Sequence, residues 1–426
     1  MKHILSFSIL SLLLISGCTT QRSTWDVADR RVSSGAAPQE LARPAQYNPE
    51  DFASGGIGPH GQRQALPAAA VQARPDMMNA QTPPVKVGLL LPLSGPSEAL
   101  GQSMLQAAQL ALFDLGADTF ELMPRDTEGT PEGARAAAQA AVNNGAQILL
   151  GPLFSGSIDA VRPVARRSSI NMVSFSTDWS KAGGNVFLMG FTPFGQVERI
   201  TAYAARQGLT RIAAIVPSDA YGRAVEEAFS SAARRHNVQV VDIIRLPPGQ
   251  VSSATMQSFA RLSQGTPDAV LIGFGGREAA QLSNMLDGMG MNAALVKRLG
   301  TGLWDDPALA AEPSLQGSWL AAPSLRLRQR FEQNYQAFYG IGPSRLASLA
   351  YDATALTAVL GKMGQLDATG TYRPAYDRVS LSNNSGFAGI DGVFRFGRNG
   401  LAQRQLAVLE FSDARLIEID AAASRF

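Results

Sequence analysis

Beginning at Val85, short apolar segments alternate with segments whose apolar residues follow helical spacing. Val85–Leu91 is a mostly apolar run, which is typical of a parallel strand buried on both faces. The next segment carries apolar residues every three or four positions: Leu100, Met104, Ala108, Ala111 and Leu115. That spacing predicts a helix. Residues 119–123 and 146–150 are the next predicted strands, and Thr130-Pro131-Glu132 between them is a helix-start signature.

The same alternation restarts after Met189, which predicts a second sheet. Its predicted strands are residues 211–217, 238–246, 268–273, 294–300 and 318–322, and predicted helices follow at residues 325–339 and 346–363. Strands that are joined through helices form parallel sheets with right-handed crossovers. The sequence therefore predicts an α/β fold of two doubly wound parallel-sheet lobes around a cleft. Such folds bind ligands beyond the carboxyl ends of the strands.

We assign residues 85–189 and 324–388 to lobe 1, and residues 190–323 and 389–426 to lobe 2. Residues 393–396 and 406–411 are predicted to pair as a hairpin around residues 397–400, since glycines readily adopt the positive φ angles of such a turn. Hydrophobic residues make up 45% of the chain and charged residues 17%, a composition that can fill two such cores.

The first 84 residues differ from the rest of the chain. Residues 1–17 combine a basic start with a short apolar core, the pattern of a secretory signal peptide that is too short to span a bilayer. Residues 14–18 also resemble a bacterial lipobox, which implies lipidation of Cys18, the single cysteine. An ordinary secretion signal that ends in a cysteine is the alternative. After Cys18, the stretch up to residue 84 is rich in proline, alanine and glycine, so residues 18–84 are predicted to be a lipidated, flexible linker.

These features predict a cell-envelope protein that is held to a membrane by the lipid on Cys18. In the lipoproteins that it resembles, an aspartate after the cysteine favours the inner membrane, so Thr19 implies the outer membrane, facing the periplasm. With one cysteine, no disulfide framework is expected. The net charge of +2 and the absence of a basic stripe with interleaved aromatic residues argue against nucleic acid as a partner. We interpret Arg326, Arg328 and Arg330 as a solvated helix face.

Several loops resemble the type I periplasmic binding-protein superfamily, specifically its Leu/Ile/Val-binding branch. The resemblance extends from Val85 to Phe411 and depends on residues 87–95, 151–157, 221–222, 392–396 and Gly400. Residues 90–95 and 151–153 also resemble the C-terminal domain of penicillin-binding protein activators, outer-membrane lipoproteins that stimulate peptidoglycan synthases. Longer members of that group carry an N-terminal helical-repeat domain, and here the linker occupies its place.

The candidate ligand site begins with Ser155 and Ser157, where a predicted strand ends and a helix begins. Hydroxyls and free N–H groups at such a point suit an anion, for example the carboxylate of an amino acid. Helix capping by Ser157 is the alternative. Ser176, Thr177 and Asp178 end the next strand, and the resemblance implies that this loop contacts the ligand. An Asx-type turn is the alternative for them.

Tyr221 falls on the aromatic cleft residue of the second lobe in the resembled family, although an ordinary tyrosine at a helix start is the alternative. Amino-acid binders of this branch carry an acid after the strand that ends here at Gly300, and this acid pairs with the ammonium of the ligand. Gly302 stands at that position. A buried ammonium without a partner costs several kcal/mol. Asp305 or Asp178 could substitute, but we do not expect a free amino acid to bind in the usual way.

Enzyme chemistry finds little support in the sequence. The three histidines, at positions 3, 60 and 236, form no cluster with metal-ligand spacing, and no Gly-x-Ser-x-Gly motif is present. Residues 273–278 partly resemble a dinucleotide-binding loop, but Glu278 stands where a third small residue is needed. We predict no enzymatic activity, no metal site and no cofactor.

The sequence therefore predicts a non-enzymatic periplasmic lipoprotein with a Leu/Ile/Val-binding-protein-like head. Its predicted role is regulation of peptidoglycan synthesis by docking a protein partner, such as a peptidoglycan synthase. The alternative is a solute-binding protein of an amino-acid ABC transporter, with a small amino-acid-like ligand in the cleft. Thr19, the long linker and Gly302 favour the first interpretation.

Overall fold

The computed structural model describes residues 84–426, except for residues 118, 252–254, 256, 258, 260, 261, 263 and 264. The predicted signal peptide, the lipidation site at Cys18 and the linker, apart from Pro84, lie outside the described residues. All described residues belong to one unit that spans residues 44–426.

The first lobe is built on a parallel sheet with the strand order β2-β1-β3-β4-β5. Its elements are β1 (Val85–Leu91), α1 (Glu98–Leu115), β2 (Phe120–Asp126), α2 (Pro131–Asn143), β3 (Ile148–Leu150), α3 (Ser155–Arg167), β4 (Met172–Ser174) and β5 (Val186–Leu188). Thr130 caps α2, because its hydroxyl accepts the N–H of Gly133 at 3.0 Å. Within β1, Leu89 and Leu90 are fully buried in different core clusters, so the strand is covered on both faces as predicted.

The chain then crosses to the second lobe. The elements there are α4 (Pro193–Arg206), β6 (Arg211–Pro217), α5 (Ala220–Arg235), β7 (Gln239–Leu246), β8 (Ala269–Ile272), α6 (Gly276–Gly288), β9 (Lys297–Gly300), α7 (Pro307–Ala310) and β10 (Trp319–Ala322). Strands β6 to β10 pair in parallel.

After β10 the chain returns to the first lobe, and near its end it crosses once more. The returning elements are α8 (Leu325–Tyr339), α9 (Ala347–Lys362), β11 (Gln365–Leu366), β12 (Tyr372–Arg373), α10 (Arg378–Leu381), β13 (Phe394–Phe396) and β14 (Ala402–Arg404). Strands β15 (Ala407–Ser412) and β16 (Arg415–Asp420) then join the second sheet antiparallel, next to β10. The predicted class of two α/β lobes with parallel sheets is confirmed, with this antiparallel edge as an addition.

The predicted hairpin forms with a different partner. β13 pairs with β14, residues 402–404, while the expected partner, residues 406–411, supplies β15 of the second sheet. Phe394 and Phe396 are buried in the core of the first lobe, and Leu188 bridges to Leu401. Residues 394–404 thus pack on the first lobe, whereas the sequence assigned residues 389–426 to lobe 2. The large aromatic side chains explain this, because they fill space beside β5. The remaining lobe boundaries stay a prediction.

A buried group of charged residues lies in the first lobe beside this hairpin. Asp352 of α9 and Asp391 are fully buried. Asp352 Oδ1 accepts the N–H of Ile390 at 2.7 Å, and its Oδ2 lies 3.7 Å from the guanidinium of Arg404. Burial and the neighbouring Asp391 raise the pKa of Asp352 to about 7, although Arg404 opposes the shift.

In the Tyr221-Gly222 motif, the glycine is required for a steric reason. The N–H of Gly222 donates to Asp219 Oδ1 at 2.9 Å, which starts α5. A Cβ on Gly222 would lie 1.7 Å from the carbonyl oxygen of Pro217. The turn from β6 into α5 therefore has room only for glycine at this position.

We expect Gly222→Ala to lower the free energy of unfolding by about 1–3 kcal/mol, because the methyl group has to displace the Pro217 backbone. Denaturant unfolding of both proteins measures this difference. Gly288→Ala is the matched control, since a Cβ at this helical glycine meets no atom within 4 Å. Equal losses in the two variants would contradict the steric explanation.

The raised pKa of Asp352 predicts a specific pH dependence of stability. Between about pH 4 and 7 the unfolded chain carries an ionised Asp352, whereas the folded protein holds the carboxyl protonated. The folded state then binds more protons, so the free energy of unfolding falls as the pH rises, by up to about 1.4 kcal/mol per pH unit. The Asp352→Asn variant has no carboxyl group at this position, so its free energy of unfolding lacks this pH-dependent contribution. Unfolding both proteins across this window should show their difference changing with pH, and a constant difference would refute the assignment.

Candidate functional site

Two neighbouring loops of the first lobe lie at the carboxyl end of its sheet. One connects β3 to α3, and the other follows β4. Ser174 Oγ donates to the carbonyl of Pro152 at 2.7 Å, and the N–H of Phe175 donates to the same carbonyl at 3.2 Å. The structure thus brings one set of sequence-predicted residues to a single edge: Ser155, Ser157, Ser176, Thr177 and Asp178.

Ser155 and Ser157 lie in the first turn of α3. Ser155 is half-buried and Ser157 is buried. The residue at the N-cap position is Phe154, and no side chain caps this helix. Capping by Ser157, the alternative that the sequence left open, therefore does not occur.

Ser176, Thr177 and Asp178 form a local turn. Ser176 is buried and its hydroxyl accepts the N–H of Asp178 at 3.1 Å, while Thr177 is exposed. Asp178 Oδ1 accepts the N–H of Ser180 at 3.2 Å and the Ser180 hydroxyl at 2.6 Å. The side chain of Asp178 thus starts the short helix Trp179–Lys181, as the Asx-turn alternative requires. A ligand contact from this carboxylate stays a prediction.

In the second lobe, Tyr221 is joined to the loop that follows β9. Its hydroxyl bonds to Thr301 Oγ1 at 2.9 Å, and Thr301 is fully buried. Burial raises the pKa of Tyr221 above its ordinary value, so the hydroxyl stays protonated. The structure therefore places Tyr221 and Asp305 around one loop, residues 301–305, on the opposite lobe from the five first-lobe residues.

Gln196 of α4, which sequence reasoning missed, lies against Gly302. Its Oε1 accepts the N–H of Gly302 at 2.9 Å, and the side chain is buried. A Cβ on residue 302 would lie 2.4 Å from Gln196 Nε2. The position where the resemblance expects an acid is thus packed against a neutral amide. The sequence signal that could have identified Gln196 is its place as a polar residue at the start of an otherwise apolar helix face.

Asp305 is held by two arginines of α8 and the loop that follows it. Its Oδ2 lies 3.0 Å from Arg345 Nε and also contacts the guanidinium of Arg328. Burial alone would raise the pKa of the Asp305 carboxyl, but Arg345 and Arg328 outweigh it and hold the pKa below its ordinary value. The predicted pairing of Asp305 with a ligand's ammonium would require one of these ion pairs to break.

The interpretation of three arginines as a solvated helix face is wrong for Arg328, whose side chain is only 13% exposed. Its partner Asp305 lies 23 residues away in the sequence, so the helical pattern alone carried no sign of the pair. Arg326 is exposed, in agreement with the interpretation.

An aromatic contact joins the lobes near these loops. Trp179, which follows β4, meets Phe194 in the first turn of α4, with ring centroids 5.6 Å apart in an edge-to-face arrangement. Such pairs stabilise a contact by about 0.5–1.5 kcal/mol beyond area burial.

In the part of the chain that the structure describes, no helix is both long and apolar enough to cross a membrane. Nor do the described histidine, cysteine, aspartate and glutamate residues form a group of three or more that could hold a metal ion.

Comparison with known proteins gives relatives of two kinds. The Leu/Ile/Val-binding protein homolog 6 of Brucella abortus (strain 2308) is 28% identical over 172 residues, which cover 38% of this chain and 44% of that protein. The penicillin-binding protein activator LpoA of Glaesserella parasuis serovar 5 is 27% identical over 158 residues, which cover 37% of this chain and 26% of the activator. The matched region thus spans less than half the length of these two relatives.

Solved structures share the fold. A putative branched-chain amino acid ABC transporter protein from Rhodospirillum rubrum aligns with a TM-score of 0.70 and 21% identity over 79% of this chain and 100% of that chain. A solute-binding protein from R. palustris in complex with benzoate aligns with a TM-score of 0.56 and 21% identity, over 80% of this chain and 97% of that chain.

The family model described as periplasmic binding protein matches residues 84–415. This range includes both sheets up to the first residue of β16, and every candidate residue of the two lobes. The chain belongs to the periplasmic binding protein family.

Proposed function

We propose that this protein is a non-enzymatic envelope lipoprotein whose head regulates peptidoglycan synthesis by docking a peptidoglycan synthase. The similarity to the activator LpoA supports this role. The observation that carries the proposal is the packing of Gln196 against Gly302, together with the two arginines on Asp305. These contacts support a role other than that of a receptor for free amino acids.

An amino-acid ligand would bring an ammonium group into the cleft. A buried ammonium needs a carboxylate or several acceptors, since an unpaired buried charge costs several kcal/mol. At position 302 the loop offers no side chain, and the adjacent Gln196 Oε1 already accepts an N–H. Asp305 is already paired with two guanidinium groups. A protein that works by docking needs no ammonium partner, which agrees with this arrangement.

The proposed location is the periplasmic face of the outer membrane. Its basis is the sequence: the lipobox-like residues 14–18, the residue Thr19 and the linker that follows. A multiply acylated cysteine would hold the chain firmly, because each buried CH₂ contributes about 0.8 kcal/mol.

We expect Ser155→Ala and Tyr221→Ala to leave capture of a purified peptidoglycan synthase from the same organism unchanged, because docking does not use the cleft. Capture by the full chain in a pull-down, with folding checked by circular dichroism, measures this. Cys18→Ser serves as a control for the anchor: it should retain capture in solution but lose palmitate incorporation and membrane association. If both cleft variants fold but fail to capture the synthase, docking depends on the cleft and the proposal fails in this form.

A second candidate function is binding of a carboxylate that lacks an amine. The first-lobe edge offers the hydroxyls of Ser155 and Ser157 at a helix start without a side-chain cap, where the partial positive charge of the helix favours an anion. The R. palustris relative in complex with benzoate shows that this fold accepts such a ligand. An aromatic carboxylate would not need the acid that Gly302 replaces.

Titration of the full chain separates the two candidates. We expect no thermal shift and no calorimetric heat of binding with any of the twenty amino acids. A true ligand would be easy to detect, because at 100 times its Kd it would stabilise the folded head by about 2.7 kcal/mol. A shift with benzoate would favour the second function, and a shift with an unmodified amino acid would contradict the absence of a partner for the ammonium group.

Gly302→Glu combined with Gln196→Ala extends this titration. The double variant places an acid beside Thr301 and removes the side chain in its way. If the cleft binds carboxylates, the double variant should gain affinity for free amino acids. Gly302→Glu alone is the control, because the new side chain would collide with Gln196.

A further inference from the structure

A cluster of ion pairs connects the two lobes. It consists of Asp305 from the second lobe and Arg328, Arg345 and Asp391 from the first. Arg345 bridges the two acids, with Nε 3.0 Å from Asp305 Oδ2 and Nη1 3.2 Å from Asp391 Oδ1. The side chains of Asp305 and Asp391 are 9% and 0% exposed. We call these four residues the interlobe ion cluster.

Asp305 is fixed to the second lobe through its neighbour Trp304. The Trp304 side chain is fully buried, its indole N–H donates to the carbonyl of Phe274 at 2.8 Å, and its ring stacks on Phe411. Phe274 follows β8, and Phe411 lies in β15. The carboxylate of Asp305 therefore cannot move far unless the second lobe moves with it.

The two arginines are fixed to the first lobe. Arg328 lies on α8, which Phe331 and Tyr335 anchor in a core cluster with α1 and α9. The Tyr335 hydroxyl bonds to Ser103 Oγ of α1 at 3.2 Å.

Arg345 is fastened to the same lobe by other contacts. Its partner Asp391 accepts the hydroxyl of Ser348 at 2.6 Å. The guanidinium also lies 4.6 Å from the ring centroid of Phe191, in the segment where the chain first crosses between the lobes. The first-lobe side of the cluster is thus as firmly held as the second-lobe side.

We propose that Asp305 is an interlobe latch that holds the head in one lobe arrangement without a bound ligand. A rotation of the lobes that moves Asp305 relative to Arg345 has to break their ion pair, because each residue is anchored in its own lobe. Separation would leave the mostly buried carboxylate of Asp305 without its two cationic partners. Among the described acids, Arg345 would then keep only Asp391, and Arg328 only Glu332. An unpaired buried charge is strongly unfavourable. The proposal goes beyond the docking function and does not depend on it, since it concerns only the free head.

The test measures the distance between the lobes directly. Ala136 on α2 and Arg234 on α5 are exposed, so each can be replaced by a spin-labelled cysteine in the full chain carrying Cys18→Ser, which removes the only native cysteine. Pulsed electron paramagnetic resonance then gives the distribution of distances. We expect one narrow population for this parent protein and an additional, shifted population for Asp305→Asn, in which two guanidinium groups face each other without the shared carboxylate.

Asp287→Asn is the matched control, because it weakens an ion pair to the fully buried Arg298 within the second lobe alone. This variant should lose stability but keep the narrow distribution. If Asp305→Asn does not fold, the double variant Arg328→Gln and Arg345→Gln provides the same comparison, since it removes both cationic partners of Asp305. A folded variant of either kind whose distribution coincides with that of the parent would overturn the latch.

Discussion

Parallel strands expose no face to water, and the need to cover both faces of each sheet shapes this molecule. In the first lobe, Leu89 and Leu90 of β1 are buried in clusters on opposite sides of the sheet. One face of that sheet is covered in part by α9, on which α8 packs in turn. The chain reaches both helices only after it has built β10 of the other lobe. Within the described residues the chain consequently crosses between the lobes three times, near residues 189–192, 323–324 and 405–406. The interlobe ion cluster lies beside the first of these crossings, where Arg345 contacts the ring of Phe191.

The sequence pattern predicted the long elements well and the short ones poorly. β1, β6 and α8 have the predicted bounds, because each has a long apolar or helical pattern between clear boundaries. β4 and β5 span three residues each, too few for a period to show, and β16 is largely exposed. The hairpin partner was wrong because residues 402–404 carry little apolar pattern of their own, whereas the strongly apolar β15 satisfies the second sheet.

Some parts of the candidate site could likewise be predicted from the sequence, whereas others could not. Motifs within one loop, such as residues 151–157 or Tyr221-Gly222, could be found in the sequence because their residues are adjacent. Gln196 and Gly302 are separated by 106 residues, and Asp305 and Arg345 by 40, so only the folded chain reveals these contacts. Both contacts act on the loop after β9. The contacts on which the proposed function depends therefore lie on this loop, although the sequence shows only a glycine where the resemblance implies an acid.

Trp304 anchors this loop in the core of the second lobe. The residue fills the core between β8 and β15, and the next residue in the chain carries the charge that meets the first lobe. A single peptide unit thus connects the core of the second lobe to the carboxylate of the interlobe ion cluster. Core substitutions in most domains are tolerated when volume is kept. Here the buried indole ring belongs to the residue directly before Asp305, so a substitution of Phe411, on which that ring stacks, also affects the carboxylate that meets the first lobe.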